Sequence, residues 1–157
     1  MRFILVDEIL DLDPGRSIRA MTTLSSEEAL FRDHFPGFPV VPGVLLTEMM
    51  AQAAGKCLLA EAPDRGRPIL AQIKTATFRD WVRPGETVTL HAQIRTSRPQ
   101  FATASATADV AGRAVCSAEL MYTFLPASSF SAPIRDDVLE RFLNRPLARG
   151  ADPGPAL

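Results

Sequence analysis

At 157 residues, the chain suits one domain, long enough to bury a core without metals or disulfides to hold it together. Its 17 Lys and Arg against 18 Asp and Glu leave a formal charge of -1, which excludes the bulk positive field that draws nucleic acid or a membrane surface. No window reaches the roughly 18 apolar residues of a membrane-spanning helix, so no nucleic acid and no membrane is expected as a partner, and the ligand must be read from a site.

Phe3-Ile4-Leu5-Val6 is too short for a secretion signal and is interrupted at once by Asp7 and Glu8, so a cytoplasmic protein is expected. With Glu8 to Leu12 it reads as an opening strand or short helix, closed by the turn signal Asp13-Pro14-Gly15. Ser17 to Leu24 alternates polar and apolar residues, as a half-buried strand does, and the two pieces make a candidate hairpin.

Residues 31–43 hold three prolines and two glycines, which predicts a loop of fixed shape with neither regular helix nor central strand. Residues 44–60 are rich in the helix formers Ala, Leu and Met, and only Glu48 and Lys56 carry charge, so a helix apolar almost all round is expected to be buried. Pro42 falls where a first helical position tolerates proline. After a solvated loop at 62–68 come four predicted strands, 69–78, 87–94, 101–110 and 113–124, with Pro84-Gly85 and Ala111-Gly112 as turns. Cys57 and Cys116 lie in apolar segments without metal-ligand spacing and read as buried thiols.

Beyond Phe124 the composition shifts to Pro, Ser and Ala, marking a division into a domain at 1–125 and a Pro-rich tail at 126–157. Within the tail, residues 136–144 could form a short helix with acids in its first turn, and 151–157 are expected to fray. One buried helix followed by a long antiparallel meander is best satisfied by a sheet wrapped around that helix.

The stretch from His34 to Gln52 carries the chemistry. Prolines fix the backbone after His34, and fixed positioning is what a general base needs. Glu48, on a buried apolar helix, bears a desolvation cost that favours its protonated form, as a general acid requires. Its bland alternatives are a thin exposed stripe or a basic partner. Pro42-Gly43 opens the helix, where unpaired N–H groups and the macrodipole could hold a carbonyl oxygen, and Gly43 leaves room for close approach. Gln52, one turn past Glu48, could orient the carboxylate or bond a neighbouring backbone group.

These residues resemble the (3R)-hydroxyacyl-acyl-carrier-protein dehydratases of fatty acid synthesis. The family's signature of His-Phe-Pro, Pro-Gly-Val-Leu, Glu and Ala-Gln is matched in order and spacing by His34-Phe35-Pro36, Pro42-Gly43-Val44-Leu45, Glu48 and Ala51-Gln52. Weaker similarity continues through Phe78-Arg79, Pro84-Gly85-Glu86, Val110-Ala111-Gly112 and Ala118-Glu119-Leu120, so it spans residues 3 to 124. The resemblance implies an α+β hot-dog fold, an antiparallel sheet wrapped around a long central helix. It also implies a homodimer with continuous sheets, often a trimer of such dimers, in which His34 of one subunit meets Glu48 of the partner subunit. His34 would take the C2 proton of a 3-hydroxyacyl thioester, Glu48 would give a proton to the leaving C3 hydroxyl, and the Gly43 amide would polarise the thioester carbonyl.

The sequence departs from that family at three places. Asp33 stands where a Gly usually precedes the histidine, Trp81 replaces a smaller or basic residue, and the tail has no counterpart. Dehydration beta to a thioester needs a base, an acid and an enolate stabiliser, so no cofactor and no metal is implied. The substrate is expected on acyl carrier protein or coenzyme A, and Arg79, Arg83, Arg95 and Arg98 are a candidate patch for an acidic carrier. The rival readings are a hot-dog acyl thioesterase and a non-catalytic acyl-binding module; the intact pair of His34 and Glu48 weighs against both.

Overall fold

The computed structural model describes residues 1–146, so the stretch expected to fray at 151–157 lies outside them. Six strands are present: β1 (Glu8–Asp13), β2 (Ser17–Thr23), β3 (Arg67–Phe78), β4 (Thr87–Ser97), β5 (Phe101–Val110) and β6 (Arg113–Leu125). Three helices accompany them: α1 (Leu30–Asp33), α2 (Gly43–Glu61) and α3 (Asp137–Leu143). The sheet is antiparallel in the order β1-β2-β4-β5-β6-β3 and wraps α2, which is the expected hot-dog fold.

Alternation explains how the sheet meets the helix. Along β5, Ala102, Ala104, Ala106 and Ala108 point inward and are buried, while Thr103, Ser105 and Thr107 take the other face. Alanines on the inner face let a bulky helix approach closely, and α2 fills that space with Met49, Met50, Cys57 and Leu58. Burial pushes the thiols of Cys57 and Cys116 up to about 11, as expected for cysteines that act as small hydrophobes.

Two expectations are corrected. The meander holds only for β4, β5 and β6, because β3 crosses to the far side of β6 and the opening hairpin joins the sheet through β2 and β4. Alternation decides which face a residue takes; it does not decide which neighbour a strand takes. The segment 31–43 is not wholly free of helix, since α1 makes one turn that ends at the His34 N–H donating to the Leu30 carbonyl. The breakers begin only at Pro36, so nothing opposes a turn before them.

The sheet's two edges differ. Next to β1 lies α3, whose Val138 and Leu139 are buried in the same core as Leu5 and Val6. Edge strand β3 is long, bent by two bulges and exposed along most of its length, with Ile73 47% accessible.

Candidate active site

His34 sits at the exit of α1, half-buried, with a backbone that the following six residues fold back on. The Val40 N–H donates to the His34 carbonyl, and Phe35 and Phe38 exchange a reciprocal pair of backbone hydrogen bonds at 3.0 and 2.9 Å. Pro36 and Gly37 form the corner between them, and Gly37 has a φ of +76°, the left-handed region that an added side chain would strain. The His34 side chain is fixed too, because its Nδ1 lies 3.0 Å from the Val40 carbonyl oxygen. A carbonyl only accepts, so Nδ1 carries the proton in that bond, and Nε2 of the neutral ring is left as a lone pair.

Gly43 opens α2 after Pro42, and its N–H and that of Val44 take no partner among the described residues. A Cβ at position 43 would meet the ring of Phe78 at 2.9 Å, so the end of β3 closes over the first turn of the helix. The missing side chain at Gly43 therefore makes room for the Phe78 ring.

Glu48 lies one helical turn into α2 on its open stripe, half-buried. Gln52 Nε2 donates to Glu48 Oε1 at 3.0 Å and to the Phe3 carbonyl at 3.2 Å, while Gln52 Oε1 accepts from the Leu5 N–H at 2.8 Å. Both readings of Gln52 hold together, since it bonds the backbone and the carboxylate at once, and Glu48 has no basic partner among the described residues. Replacing Gln52 with alanine is expected to lower unfolding free energy by about 1–3 kcal/mol, because it strands the Leu5 N–H. With Gln52 in place Leu5 is only 1% accessible. Urea denaturation measures this loss, and an unchanged midpoint would show that the N-terminal segment is held by other means.

Beside Glu48 lies a cavity of about 610 Å³, walled by α2, residues 3 and 4, β3, β6 and the segment around α3. Tyr122 of β6 reaches into its wall and donates its hydroxyl to the Ala51 carbonyl at 2.7 Å. Burial, and secondly the charge of Glu48, push that phenol far above its ordinary range. His34 is not among the residues that line this cavity.

A FabA-like domain model matches residues 1–119, a span that contains His34, Gly43, Glu48 and Gln52. The chain belongs to the FabA-like family. Its relatives include the 3-hydroxyacyl-[acyl-carrier-protein] dehydratase FabZ of Ruminiclostridium cellulolyticum, 34% identical over 80% of this chain and 89% of the relative. The protein of the same name from Levilactobacillus brevis is 38% identical over 80% of this chain and 84% of the relative. Among solved structures, the dehydratase heterocomplex ApeI:P from Xenorhabdus doucetiae superposes with a TM-score of 0.64 at 13% identity, covering 91% of each chain. A hypothetical thioesterase with coenzyme A from Streptococcus pneumoniae TIGR4 gives 0.61 at 12% identity, covering 76% of this chain and 85% of that one. At such identities these two speak for the fold alone.

Within this FabA-like chain the four arginines of the candidate patch separate. Arg79 and Arg83 flank Trp81 at the end of the sheet near the His34 loop, where the Arg83 guanidinium lies 5.5 Å from the Phe38 ring centre. Arg95 and Arg98 lie at the opposite end of β4, about 3.3 Å further per residue. Numerical proximity misled because one long strand runs between the pairs. Three features of the site went unread in the sequence: Phe78 over Gly43, Tyr122 beneath Ala51, and Lys56 paired with Asp136. Only the last had a signal, a lysine on an otherwise apolar helix.

Proposed function

We propose that this chain is a hydro-lyase that converts (3R)-3-hydroxyacyl thioesters to trans-2-enoyl thioesters in fatty acid or related lipid or polyketide synthesis. The observation that carries the reading is the pinned tautomer of His34, whose Nδ1 is committed to the Val40 carbonyl and whose Nε2 is free to accept a proton. In the forward direction Nε2 takes the C2 proton. Charge gathers on the thioester oxygen, where the unpaired Gly43 and Val44 N–H groups and the helix dipole stabilise it. The C3–O bond then breaks as protonated Glu48, held by Gln52, gives its proton to the leaving hydroxyl, and water departs. Return of the proton from the imidazolium to the carboxylate resets the site.

The site reads as shared between two subunits, His34 of one facing Glu48 of the other. Support comes from the lining of the Glu48 cavity, which does not include His34 of the same chain, and from the β3 edge, with Ile69, Ile73 and Phe78 exposed along it. A second β3 could extend the sheet there, and trimers of such dimers remain within the same reading. The acyl group is carried by acyl carrier protein or coenzyme A in the cytoplasm; Arg79 and Arg83 beside the loop suit an acidic carrier.

Enoyl thioesters of both carriers, added to the protein, should lose their conjugated absorbance as water adds. Release of free thiol instead would make it a thioesterase, and binding without turnover an acyl-binding module; either would overturn the proposal.

A further inference from the structure

The described part of the tail runs back over the body and lines part of the Glu48 cavity through Arg135, Asp136, Asp137 and Val138. After β6 the chain makes a 3-10 turn at Ala127–Ser129, runs on without regular structure and enters α3, capped by Asp136 Oδ1 accepting from the Leu139 N–H at 3.0 Å. The other oxygen of Asp136 takes Lys56 Nζ at 2.6 Å, with side chains only 8% and 12% accessible. Arg67 of β3 donates to the Arg135 carbonyl at 2.8 Å, tying the same stretch to the opposite wall. Val138 lines the cavity, while Leu139 is buried in the core beside it.

Glu48, Gln52 and Lys56 follow one another at helical spacing on the same stripe of α2, and all three line that cavity. Lys56 therefore lies about 12 Å beyond the carboxylate along the helix axis. Apolar side chains of Ile4, Leu59, Leu70 and Val138 share this lining with Gln52, and Lys56, Arg67 and Asp136 make its charged part. An acyl chain anchored at Glu48 would run along apolar walls until it met the strap. The matched family span stops at residue 119, before the strap begins, so the closure is set by a part of the chain outside that match.

We infer that residues 126–145 form a strap, latched by Lys56 and Asp136 and walled by Val138, that sets the longest acyl chain the Glu48 cavity accepts. This rests on the dehydratase reading. A largely buried ion pair makes a firm end wall, since entry of a methyl terminus would have to separate two charges that are mostly shielded from water. Removing one partner alone would strand the other, so both should be neutralised together.

The test compares wild type, the double variant Lys56→Gln with Asp136→Asn, and Val138→Phe, all as full-length protein. Asparagine keeps the α3 cap and glutamine keeps a hydrogen-bonding head, so the fold is retained while the latch weakens. Thermal unfolding confirms that retention. Crotonyl, octenoyl and hexadecenoyl thioesters are the substrates, and acyl-pantetheine thioethers of the same lengths are measured for binding by calorimetry. In the double variant the hexadecenoyl to crotonyl ratio of kcat/KM should rise about tenfold, and Val138→Phe should lower the octenoyl to crotonyl ratio by a similar factor. Thioether affinities should shift the same way. Length ratios left at the wild-type value in both readouts would overturn the strap. If wild type binds the thioethers in this length-dependent way without hydrating any thioester, the dehydratase reading falls and the strap stands.

Discussion

Replacing His34 with alanine should lower kcat for enoyl thioester hydration by about a hundred- to ten-thousand-fold while leaving the protein folded. The ring makes one hydrogen bond inside the chain, to the Val40 carbonyl, and the loop's own backbone bonds between Phe35 and Phe38 and between Val40 and His34 do not involve it. Its removal should therefore cost stability only about 1 kcal/mol. Loss of turnover with little loss of stability separates a base from a structural histidine. Glu48→Gln should match it in activity, because glutamine preserves the polar contact with Gln52 but has no acidic proton to give. Steady-state kinetics beside urea denaturation gives both quantities. A His34→Ala enzyme within about tenfold of wild type would remove the imidazole from the chemistry.

The site was more legible than the architecture around it. His34, Gly43, Glu48 and Gln52 lie within one short stretch, so their relative placement follows from a local loop and one helix, both written in adjacent residues. Strand identities followed from alternation for the same reason, and β5 matches its expected span at both ends. Relations across the chain were less accessible. The route of β3 to the far side of β6 depends on long-range pairing, and a strand's own alternation carries no record of its neighbour. Lys56 was visible as an anomaly on an apolar helix, but its partner Asp136 lies 80 residues on, at the start of the short helix expected in the tail, and nothing local links the two.

Sharing of the site makes a sharper prediction than either single substitution. His34→Ala and Glu48→Gln proteins, each inactive alone, should recover activity when unfolded together and refolded as a mixture. In a mixed pair, one site would combine alanine with glutamine, while the other would combine an intact His34 with an intact Glu48. Random pairing makes half of the dimers mixed, each with one working site of two, so about a quarter of wild-type turnover should return in a two-fold symmetric assembly. Sites complete within one chain would give nothing, since every chain in the mixture lacks one member of the pair. The geometry favours recovery: Glu48 faces a cavity that its own His34 does not line, and the β3 edge beside that cavity carries Ile69, Ile73 and Phe78 exposed. The same mixture with Ile73→Asp in both proteins separates pairing from site chemistry, because a charge placed along the edge opposes strand addition while lying outside the cavity lining. Recovery that disappears with this change, together with a fall in particle mass by light scattering, ties turnover to pairing through β3; recovery that persists would move the contact elsewhere.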